Sequence, residues 1–247
     1  MRPGSTLSGF VISAIRVSCY RSSVTTRSTL STPTAPSLDA EQAFWRADHT
    51  IVAGVDEVGR GALAGPLVAA AVVFGACAGW DLRRLRINLA AVRDSKALKP
   101  ETRETLLSQI TACAAAVAIG IVEADELDQI GVGPANRIAM ERAVMGVPNS
   151  PHALLLDACV IDLGMTQVGP IRGDASSLSI AAASIVAKVT RDQIMCNHHE
   201  RDGRYHFVVH KGYGTPLHLA AIRTHGPGPI HRRSFTLIRP TDPADVE

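Results

Sequence analysis

Four acidic residues stand in similar local settings. Asp56 and Glu57 follow the apolar run Ile51-Val52-Ala53-Gly54-Val55, Asp157 follows Leu154-Leu155-Leu156, and Asp174 precedes a long Ala-rich stretch by a few residues. A carboxylate at the end of an apolar strand lies beside a core, where charge is costly unless it is paired or metal-bound. For Asp56 and Glu57 alone, an exposed strand end or neutralisation by Arg60 explains the pair as well. Taken together, three chain segments can deliver all four carboxylates to one sheet edge, where strand C-terminal ends gather in an open α/β domain. Such a set repels itself and titrates as a unit, and a divalent cation relieves it. Hard oxygen donors suit Mg²⁺ or Mn²⁺ acting on phosphates. Because neighbouring strand residues point to opposite faces, Asp56 and Glu57 do not both face one metal site by default; they can if the strand ends there and the chain turns, which Gly59 and Gly61 permit.

Other chemistries fit less well. Gly59, Gly61 and Ala64 match the G-x-G-x-x-A spacing of a dinucleotide-binding turn. That turn must open a helix whose N-terminus meets the pyrophosphate. Here Gly65-Pro66 and the strand-like run Leu67 to Phe74 follow, and two carboxylates in front would repel phosphate. A nucleotide-dependent oxidoreductase is thereby excluded. Ser184 is not an S-x-x-K nucleophile, since Ala187 occupies the lysine position and Lys188 comes one residue late; small-residue helix packing explains the run. Lys188 and Asp192 have the spacing of a helical i,i+4 pair. Seven of the nine histidines fall between His198 and His231, but no cysteines accompany them at zinc-ligand spacing, so they read as surface or core residues.

These side chains need a scaffold. The 247 residues, 46% hydrophobic and 19% charged, suffice for one large domain with a core, or a domain plus a tail. The longest apolar runs fall short of the roughly 18 to 20 residues that span a bilayer, so no membrane association is expected. Five scattered cysteines, without a C-x-x-C pair, suit free thiols in a reducing, cytoplasmic setting. The net charge of +2 names no partner, yet Gly203 to Pro240 contains no acid. That segment interleaves Arg204, Lys211, Arg223, Arg232, Arg233 and Arg239 with Tyr205, Phe207, Tyr213 and Phe235. It suits nucleic acid or, equally, a solvated face with its aromatics turned inward.

The first 38 residues carry four arginines, no acid and much Ser and Thr. They match a transit peptide, a tail, or a start codon assigned too far upstream; residues 1 to 45 are set outside the fold. Strands are expected at Ile51 to Val55, Leu67 to Phe74, Ala115 to Val122 and Ala153 to Leu156. Helices are expected over Lys99 to Ala112, Glu123 to Ile130, Asn136 to Met145 and Leu178 to His198. The pattern is that of an α/β domain over 50–240, with helices covering a central sheet and a polar tail at 241–247.

From about Thr50 to Pro240 the chain resembles bacterial ribonuclease HII, the type 2 ribonuclease H family. The resemblance rests on "GVDEVGRGALAGPLVAAAVV", "DSKAL", "LLLDA", "GDASSLSIAAASIVAKVTRD", "KGYGT" and "HRRSF", in that order. Two departures are Ala62, where the family more often has Pro, and Lys99-Pro100, which replaces a serine N-cap. The resemblance implies a ribonuclease H-like fold, a mixed central sheet flanked by helices, with a helical C-terminal part. It implies endonucleolytic hydrolysis of the RNA strand of RNA/DNA hybrids and incision at ribonucleotides within duplex DNA, leaving 3′-hydroxyl and 5′-phosphate ends. Asp56, Glu57, Asp157 and Asp174 would hold two Mg²⁺ or Mn²⁺ ions. The Gly59-Arg60-Gly61 backbone would contact the ribose 2′-hydroxyl, Tyr213 would pack on the next sugar, and Lys96 would grip a phosphate. The enzyme is expected to be a monomer. The sister family, ribonuclease HIII, carries a folded N-terminal domain that residues 1 to 45 are too short to form. A non-catalytic hybrid-binding protein would not need all four acids.

Overall fold

In a computed structural model, which describes residues 35–75, 82–157, 160–169 and 176–235, the apolar run after Thr50 forms strand β1, Val52–Val58. β2 is Leu67–Val73, β3 Ala116–Val122, β4 Ala153–Leu156 and β5 Thr166–Val168. They form one sheet in the order β3-β2-β1-β4-β5. β1 and β2 are antiparallel, as are β2 and β3, while β4 runs parallel to both β1 and β5. The sheet is therefore mixed, with the acid-bearing β1 at its centre.

Helices cover both faces. In chain order they are α1 (Asp39–Arg46), α2 (Leu82–Asn88), α3 (Pro100–Cys113), α4 (Ala124–Ile130), α5 (Val132–Met145), α6 (Leu178–Arg201), the single-turn α7 (Phe207–His210) and α8 (Pro216–His225). β2 is buried on both sides and shows why its sequence does not alternate. Leu67, Ala69, Ala71 and Val73 pack with Ala139, Met140 and Ala143 of α5. Val68, Ala70 and Val72 pack with α6, α3 and α2 through Ala182, Ile185, Leu106, Ile110 and Leu85. Small side chains let α6 approach the sheet closely: a Cβ on Gly54 would lie 2.3 Å from the Ser179 backbone. α6 starts with the Ser177 hydroxyl accepting from the Ile180 N–H at 3.2 Å.

Two sequence expectations change. Residues 39–46 belong to the fold, because Leu38 and Glu41 are fully buried. Glu41 Oε1 accepts from the Ser177 hydroxyl at 2.7 Å, the Ser179 N–H at 2.9 Å and the Ser179 hydroxyl at 2.6 Å. α5 begins at Val132 rather than Asn136, since Pro134 falls in its first turn, where no N–H is needed. α3 has Pro100 in its first turn and Lys99 as a cap that makes no side-chain bond, as the sequence leads one to expect. The tail at 241–247 and most of the N-terminal extension lie outside the described residues.

Candidate active site

The acid pair lies inside β1, not past its end: Asp56 stands opposite Ala70 and Glu57 opposite Ala69 of β2. The chain does not turn at the pair, and the two side chains leave by opposite faces, as the pleat demands. Asp56 is directed to the α6 side, where the Ser184 hydroxyl hydrogen-bonds it. Glu57 is directed to the α5 side, where the Asn136 amide does the same. Asp157 follows β4 directly. The last rung of the parallel pair is Val55 with Leu156, so Asp56 and Asp157 are the next residues along adjacent strands. Asp56, Glu57 and Asp157 lie close enough to act on one another electrostatically, although Asp56 and Glu57 leave the sheet by opposite faces.

Burial, followed by the charge of Glu57 and more weakly that of Asp157, pushes the Asp56 carboxyl up to about 8, against the pull of Ser184. Glu57 is also raised, first by burial and then by Asp157, while Arg60 and Asn136 oppose the shift. Arg60, whose Nη1 is 3.6 Å from Glu57 Oε1, offsets part of that rise, although its side chain is 61% exposed and its charge is screened by solvent. An all-oxygen donor set, with one carboxyl forced towards its neutral form by burial and like charge, fits a divalent cation. Among the described residues, which do not include Asp174, no group of three or more His, Cys, Asp or Glu is placed to hold a metal ion. Asp174 lies outside the described residues, four positions before the start of α6.

The glycine loop is a tight turn, with the Ala62 N–H donating to the Gly59 carbonyl at 3.3 Å. Arg60 and Gly61 are its central residues. Gly59 has φ +98°, and a Cβ there would lie 2.4 Å from Arg191 Nε; a Cβ on Gly61 would meet nothing within 4 Å. The protein's own packing thus demands glycine at 59, whereas at 61 it leaves an open face. The loop is joined to the Tyr213 segment, since the Leu63 N–H donates to the Gly212 carbonyl at 2.8 Å. Tyr213 is half-buried and Lys96 exposed. Lys96 sits on the 3-10 turn Ser95–Ala97, and Ser95 shares a 2.8 Å hydrogen bond with Ser184. One serine on α6 thereby links the Lys96 turn to Asp56.

Two fully buried arginines organise this loop. Arg191 donates from Nε to Pro66 O at 2.9 Å, from Nη1 to Lys211 O at 2.9 Å and from Nη2 to Ala64 O at 3.0 Å. Arg232 donates from Nε to Gly65 O and from Nη1 to Arg60 O, both at 3.0 Å, while its Nη2 is buried without a partner. Burial, followed by repulsion from Arg191, depresses the Arg232 guanidinium. Arg232 therefore does not belong to an exposed basic face, and Tyr205 and Phe207 are core residues. Arg204 is paired with Asp202 at 2.7 Å; Arg239 lies outside the described residues. Lys188 and Asp192 form the expected pair at 2.6 Å.

A mixed five-stranded sheet flanked by helices, with Asp56 in one central strand and Asp157 directly after the adjacent one, is the architecture of the ribonuclease H-like class. A family model for ribonuclease HII matches residues 53–238. Ribonuclease HII of Herpetosiphon aurantiacus is 45% identical over 196 residues, covering 79% of this chain and 93% of its own. That of Lactobacillus johnsonii is 48% identical over 195 residues, covering 79% and 74%. The crystal structure of ribonuclease H2 from Pyrococcus horikoshii superposes with a TM-score of 0.64 at 27% identity, covering 76% of this chain and 95% of that one. The chain belongs to the ribonuclease HII family; it is a metal-dependent endoribonuclease of the ribonuclease H type, a class acting on RNA/DNA hybrids. Among the described residues no helix is long and apolar enough to cross a membrane.

Proposed function

We propose that the enzyme hydrolyses the RNA strand of RNA/DNA hybrids and incises duplex DNA at embedded ribonucleotides, leaving 5′-phosphate and 3′-hydroxyl ends. Asp56, Glu57 and Asp157, with Asp174, would hold two Mg²⁺ or Mn²⁺ ions. The observation that carries this reading is the Asp56 carboxyl, raised chiefly by its burial and then by Glu57 and Asp157, and provided with a neutral partner, Ser184, rather than a cation. Bound ions would supply a nucleophilic water and charge stabilisation at the departing 3′-oxygen.

The remaining residues bind and select. The Arg60-Gly61 turn, its carbonyl side held by Arg232, leaves backbone facing open space at Gly61, which suits contact with a ribose 2′-hydroxyl, the group that separates RNA from DNA. Tyr213 would pack on the neighbouring sugar and sense the ribonucleotide-to-DNA junction. Lys96 would hold a phosphate, which positions the duplex without reading sequence. Half-buried free thiols at Cys113 and Cys196 suit a cytoplasmic enzyme, and we propose that it works as a monomer.

The test offers duplex DNA with one ribonucleotide, with Mg²⁺ or Mn²⁺, to the wild type, Asp56→Asn and Asp174→Asn. Incision by the wild type and its loss in both variants is expected. No wild-type incision, or undiminished cutting by Asp56→Asn, overturns the reading.

A further inference from the structure

Three histidines are buried together against the segment that carries Tyr213: His210 and His218 stack with ring centroids 4.3 Å apart, and His231 lies 5.2 Å from His218. Their hydrogen bonds leave one arrangement of protons. His210 Nδ1 accepts from the Gly212 N–H at 3.1 Å, so its proton is on Nε2, donated to the Tyr205 carbonyl at 2.8 Å. His231 Nδ1 accepts from the Gly228 N–H at 2.9 Å, so its Nε2 proton is donated to His218 Nε2 at 3.0 Å. His218 must then carry its proton on Nδ1, which donates to the carbonyl oxygen of Tyr213 at 3.0 Å. All six ring nitrogens are engaged, with one proton per ring. A further proton on any of them would set an N–H against another N–H.

We infer that His218 is a positioning residue for Tyr213: in its neutral form, fixed by His231 and His210, it sets the tyrosine's placement and with it the enzyme's selectivity for a ribonucleotide joined to DNA. The inference rests on the assignment of Tyr213 as the junction-sensing residue. The Tyr213 carbonyl receives a second hydrogen bond, from the Thr215 N–H at 2.8 Å, and the Tyr213 N–H donates to His210 O at 3.0 Å. The tyrosine backbone is thus bracketed by this network.

The surroundings keep the rings neutral. Tyr205 and Phe207 pack against them edge-on or tilted, and stack on each other. Lys211, His206 and His199 act against protonation of His210, and Arg233 against that of His231, while Asp202 favours it. Arg191 lies over the Tyr213 ring. Burial, chiefly, lowers His218 and His231 to about 4. Acid should therefore release Tyr213 by charging the network.

The test measures kcat and KM between pH 4 and 8 on two substrates, duplex DNA with a single ribonucleotide and a long RNA/DNA hybrid. Wild type, His218→Asn, His218→Phe and Tyr213→Ala are compared with Mg²⁺ present. His218→Phe should lose about three- to tenfold in kcat/KM on the single-ribonucleotide duplex, the size of one neutral hydrogen bond, and clearly less on the hybrid. His218→Asn, whose amide can still donate to the Tyr213 carbonyl but cannot be charged, should restore most of that loss and remove the selective decline expected as pH falls from 5 to 4. Equal losses of His218→Phe on both substrates, with Tyr213→Ala remaining selective, overturn the inference alone. Absence of a selective effect in Tyr213→Ala overturns the tyrosine reading and the inference with it. Should His218→Phe not fold, long-range ¹H–¹⁵N correlations on the wild type decide: a proton on His218 Nδ1 that persists to pH 5 supports the inference, and an Nε2 tautomer or a charged ring overturns it.

Discussion

The guanidinium carbon of Arg191 lies 5.3 Å from the ring centroid of Tyr213, while the same guanidinium donates to carbonyls on both sides of the site. A fully buried cation bound to neutral carbonyls is an expensive feature. Here it ties the loop after Gly59 to the segment bearing Tyr213, so two chain regions far apart in sequence are held to one another.

Arg191→Lys keeps the charge but not the planar fork. A lysine ammonium cannot reach three diverging carbonyls with the same geometry, and those it misses are left buried and unpaired. The variant should be destabilised by about 3 kcal/mol and should lose selectivity for single ribonucleotides along with Tyr213→Ala. Urea midpoints and paired-substrate kinetics check both; wild-type stability in Arg191→Lys would dismiss the clamp.

Asn136 and Ser184 each hold one carboxylate of the site from a different helix. Groups that orient metal-binding side chains commonly contribute about 10- to 100-fold in metal affinity or activity. Asn136→Ala and Ser184→Ala should each raise the Mn²⁺ concentration for half-maximal incision by about tenfold or more, with far-UV circular dichroism unchanged. Metal titration of the cleavage rate gives the answer, and unaltered half-saturation would reduce both residues to packing.

How far the sequence could be read depended on whether chemistry was local. β2, with Val and Ala on both faces, and the acids at Asp56, Glu57 and Asp157 were legible because strand endings and charge beside a core are local signals. Asn136 and Ser184 were not, since an Asn near a helix start and a Ser in an Ala-rich helix have ordinary local explanations; only the sheet brings them to β1. Arg232 was read as exposed positive charge because burial leaves no mark on a single arginine. Glu41 was assigned to an unfolded extension because its partners, Ser177 and Ser179, lie more than a hundred residues away. The placement of Glu57 depended on where the strand ended. The strand continues through Val58, and a site formed around a strand end can draw acids from both faces.

Acid should weaken the fold through His218 and His231. Both are held near 4 in the folded protein and titrate near 6.5 once unfolded. Between these values the unfolded chain binds more protons, so stability is fully present above about pH 6.5 and is lost as pH falls towards 4. The loss should be about 3 kcal/mol for each histidine that takes up a proton on unfolding. Urea denaturation at pH 7.0 and 4.5 measures it, and His231→Asn should flatten the difference; an unchanged slope in that variant would place the acid sensitivity elsewhere.

The two glycines flanking Arg60 should respond oppositely to alanine. At Gly59 a Cβ combines a φ of +98° with a 2.4 Å approach to Arg191 Nε, so Gly59→Ala must displace the clamp and should cost about 2 kcal/mol or more of stability. At Gly61 a Cβ meets no atom of the protein within 4 Å, so Gly61→Ala should unfold within about 0.5 kcal/mol of the wild type. Its methyl group would instead project onto the face proposed for the ribose. Incision at a ribonucleotide should then fall by at least about tenfold, since a crowded 2′-hydroxyl contact forfeits a hydrogen bond in the bound complex. Thermal melts and single-turnover incision separate the effects. Normal cutting by a fully stable Gly61→Ala would mean that the open face at Gly61 does not receive the substrate.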